Sequence, residues 1–109
     1  MITISKTAAN TTDNTVIYTS HDIEQYNWHE LDIATAPTGG AVDAFVSYDG
    51  TNYTSAAITW IERNNSVETN SPANAGSYYV VGQFKKMKIQ NDGASISQAP
   101  AIRIAHSKV

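Results

Sequence analysis

Isoleucine and valine together number 18 in this chain, against a single leucine, Leu31, and 12 threonines add further β-branched side chains. A branch at Cβ restricts χ1 against the preceding turn of a helix, whereas leucine keeps its rotamer freedom there. A helical domain built with one leucine is therefore disfavoured. Six tyrosines add strand-favouring side chains. At 109 residues the chain has room for one domain and no second core. Serine, threonine and asparagine supply 31 residues, which suits turns and solvated strand faces. Of the 41% of residues that are hydrophobic, 14 residues are alanine, so the large-apolar core is small and burial is expected to continue across a subunit interface.

Alternation locates the strands. Residues 1–6 alternate Ile2 and Ile4 with Thr3 and Ser5, a short strand or an extended arm, and residues 7–14 are polar and turn-like. Residues 15–20 read as a strand. Residues 24–35 form the longest candidate, with Leu31 and Ile33 on one face and Glu30 and Asp32 on the other; a helix there fits the period-two pattern less well. After the turn at 36–40, residues 41–48 place Val42, Ala44, Val46 and Tyr48 on one face and Asp43, Phe45 and Ser47 on the other. Phe45 is thus expected to lie under a neighbouring subunit or loop. Asp49-Gly50 is a hairpin signal. Further strands are predicted at 55–63, 66–69, 77–81, 84–91 and 100–107, with Met87, Ile89, Ile102 and Ile104 inward and Lys86, Lys88 and Gln90 outward. Eight or nine short strands at this spacing define an all-β, single-domain antiparallel β-sandwich. Residues 1–14 are read as an N-terminal strand or arm and residues 15–109 as the sandwich.

Candidate chemistry is sparse. There is no cysteine, hence neither a disulfide nor a thiolate metal site. His21, His29 and His106 lack any HxH or HExxH spacing, and they read as solvated or interface side chains, with no metal. Asp22/Glu24 and Glu30/Asp32 are spaced i, i+2, each pair on one strand face. Two such carboxylates could meet the separation glycosidase chemistry needs, but a small sandwich leaves little room for the cleft. No serine sits in a nucleophile elbow, and there is no phosphate loop. Neither catalysis nor a cofactor is expected. Trp28, Trp60 and the tyrosines could form a sugar-stacking platform, although both residue types also favour cores and interfaces. Asp49-Gly50-Thr51-Asn52-Tyr53 lacks the alternating acidic ligands of a calcium loop. Lys85, Lys86 and Lys88 are the one basic run in a chain of net charge −3; they read as a solvated strand face that protects a sheet edge, and no nucleic-acid partner is expected. No apolar run is long enough to span a membrane, so no membrane role is expected, and the opening residues lack the pattern of an export signal.

Residues 40–53, ending Ser47-Tyr48-Asp49-Gly50-Thr51-Asn52-Tyr53, resemble the strand and S-x-D-G-T-N-[WY] hairpin of small β-sandwich proteins from tailed-bacteriophage virions. Residues 79–89, containing Gly82-Gln83-Phe84-Lys85-Lys86-Met87-Lys88-Ile89, resemble a later strand of the same proteins. The likeness covers residues 40–93, and residues 102–104 are compatible with it. It implies a jelly-roll-like sandwich and a structural job: head decoration (cement) protein, tail or fibre module, or small carbohydrate-binding domain. A chain opening at Met1 is expected to be a stand-alone product, which favours the cement protein. That resemblance further implies a homotrimer that binds the major capsid protein on the capsid surface, made in the bacterial host cytoplasm, with residues 1–14 as an arm that orders on the shell. Trp28, Asp43, Phe45, Tyr53 and Lys86 are the expected partner-contact positions.

Overall fold

The computed structural model describes residues 2–7, 15–93, 96 and 100–109. Among these, the chain forms nine strands: β1 (Ile2–Thr7), β2 (Val16–Thr19), β3 (Trp28–Thr35), β4 (Ala41–Ser47), β5 (Trp60–Glu62), β6 (Glu68–Thr69), β7 (Gly76–Val81), β8 (Lys86–Asp92) and β9 (Ala101–Ser107). They make two antiparallel sheets, one in the order β1-β9-β3-β7-β5-β6 and one in the order β2-β8-β4. Through β4 the chain alternates between sheets, and it does so again from β7 to β9, the jelly-roll-like winding that the resemblance implied. The segment 24–35 is a strand only from Trp28 onward, and the long stretch at 55–63 shortens to the three residues of β5. Residues 2–7 pair with β9 along their whole length, from Ile2 opposite His106 to Thr7 opposite Ala101. Of the turn expected at 7–14, Thr7 belongs to β1, opposite Ala101, and residues 8–14 lie outside the described residues.

The inward phase of each strand is the apolar one. Leu31 and Ile33 from β3, Ile102 and Ile104 from β9 and Tyr78 from β7 face Val42, Ala44 and Val46 from β4, Met87 and Ile89 from β8 and Tyr18 from β2. All are buried, as is Trp60 at the start of β5. Removing that apolar surface from water is the main favourable term of the fold. Asp43, Lys86, Lys88 and Gln90 hold the outer phase of the small sheet.

Tyr48 departs from its expected face: it is 68% exposed, whereas Ser47 is fully buried. The strand ends at Ser47, and the alternation ends with it. Ser47 Oγ donates to Asp49 Oδ1 (3.0 Å) and accepts from Gly50 N (2.9 Å). Asp49 Oδ1 also accepts from Thr51 N and Asn52 N at 2.8 and 2.7 Å, while Asn52 Nδ2 donates to Oδ2. The motif is thus a side-chain-capped loop rather than a two-residue hairpin, closed by the Ser47–Tyr53 bridge. Gly50, at φ 86°, takes the left-handed conformation that glycine tolerates best. Beyond the loop the chain runs back along the free edge of β4, with Thr54 N on Val46 O and Ile58 N on Ala44 O. That return covers an edge that would otherwise be open to pairing and sets Tyr53 beside the outer face of the small sheet.

Candidate functional site: two outer faces and a buried histidine chain

The outer face of the small sheet is built by register. Lys88 on β8 lies opposite Phe45 on β4, and Lys86 lies opposite Ser47. On the other side Thr19 of β2 faces Lys88, and Val16, 49% exposed, faces Gln90. Lys88 Nζ stands 4.8 Å from the ring centre of Tyr53 and 5.7 Å from that of Phe45, a cation held against two aromatic rings. At the end of the same face Asp43 accepts a 2.6 Å hydrogen bond from Ser71 Oγ. Four of the five expected contact positions, Asp43, Phe45, Tyr53 and Lys86, therefore come together here. Within the chain Lys88 lies over the half-buried Phe45, and Tyr53 of the returning loop shares that lysine.

Trp28, the fifth, is on the opposite side of the molecule. It projects from β3 onto the outer face of the large sheet and stacks on Tyr79 of β7, with ring centres 4.7 Å apart and planes 7° from parallel. Its Nε1 donates to Glu30 at 2.9 Å, and Glu30 also takes Arg63 at 3.0 Å. Asp32 pairs with Arg103 across the strand boundary. Each carboxylate of the Glu30/Asp32 pair thus meets a guanidinium. Asp22 caps Glu24 N at 2.9 Å, and the Glu24 carboxylate lies 3.8 Å from Lys85. The two acids and Gln25 line a shallow surface hollow. Among the described residues no three His, Asp or Glu side chains converge as metal ligands.

Trp60 takes the core alternative rather than the sugar-stacking one. It is fully buried, with its Nε1 unpartnered among the described residues, so it cannot stack on a ligand at the surface.

His29 and His106 correct the reading of solvated or interface histidines. Both are completely buried, and only His21 is exposed. Adjacent strands β3 and β9 put them opposite each other, and their Nδ1 atoms lie 2.8 Å apart. His29 Nε2 is 2.8 Å from the Gly82 carbonyl, and His106 Nε2 is 2.9 Å from Tyr18 Oη. One proton arrangement satisfies every atom with both imidazoles neutral. Tyr18 O–H donates to His106 Nε2, His106 Nδ1–H donates to His29 Nδ1, and His29 Nε2–H donates to the Gly82 carbonyl. Phe84 covers the His29 ring at 5.0 Å. Burial pushes both histidines down, His106 to about 4 with the neighbouring His29 adding to the effect; the Gly82 carbonyl opposes it at His29. Burial pushes Tyr18 up to about 12. The chain crosses from the large sheet to β2 of the small sheet, so it ties the two layers with polar bonds inside an apolar core. The signal available in the sequence was the phase of His29 with Leu31 and Ile33 and of His106 with Ile102 and Ile104.

No protein-family model and no curated protein matches the chain. A search of solved structures finds the crystal structure of the SPBc2 prophage-derived protein YomS, with a TM-score of 0.70 over 97% of this chain and 94% of that one, at 11% identity. The chain is an all-β, two-sheet domain. It shares its fold, end to end, with a protein encoded by a prophage.

Proposed function

We propose that the protein is a non-enzymatic structural component of a tailed-phage virion, namely a head decoration protein that binds and stabilises the major capsid shell. The observation that carries this reading is the fold shared with a prophage-derived protein over nearly the full length of both chains. The capped S-x-D-G-T-N-Y loop of residues 47–53 supports it. Such a protein works by area and valency: a modest contact per subunit becomes firm attachment when several linked copies engage neighbouring shell subunits at once. A closed homotrimer on threefold positions supplies that multiplicity.

The same fold match accommodates a tail or fibre module. Virions of the encoding phage, dissociated into heads and tails and separated on a gradient, distinguish the two. The protein is expected in the head fraction, and heads assembled without it should lose their DNA on milder heating. Recovery with tails would move it to the tail module, and absence from both fractions would remove the virion role. Light scattering of the purified protein is expected to give three times the 11.8 kDa chain mass or, if trimers form only on the shell, that stoichiometry on heads.

A further inference from the structure

We propose that the outer face of the three-stranded sheet is the docking surface and that it takes an acidic protein surface, one that presents carboxylates to Lys86 and Lys88 within an apolar rim. This rests on the virion reading above and names the face and the chemistry of the contact. Three observations carry it.

The first is charge. Among the described residues Arg63, Arg103 and Lys85 each meet a carboxylate of the same chain, whereas Lys86, Lys88 and Lys108 form no ion pair, and of these three Lys86 and Lys88 share a sheet face. On a chain of net charge −3, the outer face of the large sheet sets two guanidiniums against two carboxylates. On the outer face of the small sheet the two lysines lie toward one end of β8, while the acids, Asp92 and the Asp43 carboxylate that Ser71 holds, lie toward the other. The second is preorganisation. Lys88 is held over Tyr53 and Phe45, so much of the rotamer freedom a lysine would lose on binding is already lost. The third is surroundings. Phe45 and Tyr53 flank the Lys88 ammonium, and the exposed Val16 lies farther along the same face, opposite Gln90; apolar neighbours that exclude water strengthen a charged contact at their centre.

Other occupants fit less well. A nucleic acid would need a longer run of cations to offset its phosphates and open ring faces for its bases; here Lys88 lies over both rings. A second copy docked through this face would offer the lysines only Asp92 and an Asp43 already bonded to Ser71.

The test uses heads and tails of the encoding phage prepared without this protein, a short DNA duplex as competitor, and the full chain. The wild type is expected to bind heads, more weakly as salt rises. Lys86→Glu/Lys88→Glu should weaken binding by roughly tenfold or more, the equivalent of about 1.4 kcal/mol, while the protein stays folded at the assay temperature, its melting temperature lowered by a few degrees at most through the lost ring contacts. Lys86→Gln/Lys88→Gln should fall between the two, and Lys86→Arg/Lys88→Arg should keep most of the affinity. The same pattern on tails would support this docking face while moving the protein to the tail. Binding to either particle that ignores all three variants overturns the face and leaves the virion role standing. Competition by the duplex as effective as by heads, or lysine-dependent self-association in place of particle binding, overturns the acidic-protein partner. Binding of the wild type to neither particle overturns the virion reading itself.

Discussion

Acidification should unlock the buried histidine chain. In the unfolded chain His106 titrates near 6.5, while in the folded protein burial and His29 hold it at about 4. Between these values the unfolded state binds a proton that the folded state refuses. The stabilising contribution is therefore complete above about pH 6.5 and is lost as the pH falls toward 4. At about 1.4 kcal/mol per pKa unit, His106 alone removes roughly 2–3 kcal/mol by about pH 4.5, and His29, shifted the same way by its burial, adds to the loss. That is a large share of the roughly 5–15 kcal/mol that holds a typical domain together. The geometry gives the reason. A proton on His29 Nδ1 forces His106 to accept there and to donate from Nε2, which turns Tyr18 from donor to acceptor and strands its hydroxyl proton in the core. A second proton sets two N–H groups head to head across the 2.8 Å Nδ1–Nδ1 contact. Urea unfolding followed by tryptophan fluorescence, at constant ionic strength from about pH 7.5 down to about pH 4.5, should show this fall. A His29→Gln/His106→Gln variant should be less stable at neutral pH and flatter in its pH response. A wild-type stability that stays level across that window, or an imidazole of the pair titrating near 6.5 in the folded protein by NMR, would refute the argument.

The remaining predictions concern the core and its turns. Trp60→Ala empties a fully buried site and should cost about 3–5 kcal/mol in chemical denaturation, whereas Trp28→Ala, which loses the stack on Tyr79 and the hydrogen bond to Glu30 on the outer face, should cost about 1–2 kcal/mol. Gly40→Ala places a Cβ 2.6 Å from the Asp92 carbonyl oxygen; backbone cannot yield as a side chain can, so a loss of about 1–3 kcal/mol is expected by the same measurement. Asp49→Ala removes the acceptor for Thr51, Asn52 and Ser47 and should lower the melting temperature and speed proteolysis at residues 48–52. The hydrogen bonds from Asn52 first, then from Thr51 and Ser47, hold the Asp49 carboxyl well below the usual carboxylate range. Its contribution is present above the ordinary carboxylate pKa and lost as the pH falls through the folded value, so the difference in melting temperature should shrink in strong acid.

What the sequence determined by itself was local. Period-two alternation in residues 28–33, 42–46 and 86–90 set which side chains face inward, because a strand of L-residues has no other way to present a continuous apolar face. That the chain turns between Ser47 and Tyr53 was legible too, since the hydrogen bonds there join residues two or three positions apart, although the turn is a capped loop and not the two-residue hairpin expected. Tertiary structure alone decided the rest. Nothing near His29 announces His106, 77 residues away; the two meet because β9 inserts between β1 and β3, and strand order depends on the closure of the whole chain rather than on any window of it. The same closure sent Trp28 to one outer face and Phe45, Tyr53 and Lys86 to the other, and drew Trp60 into the core. Alternation turns Trp28 and Phe45 outward on their own strands, but only the way the strands pair into two sheets says which outer face each one joins.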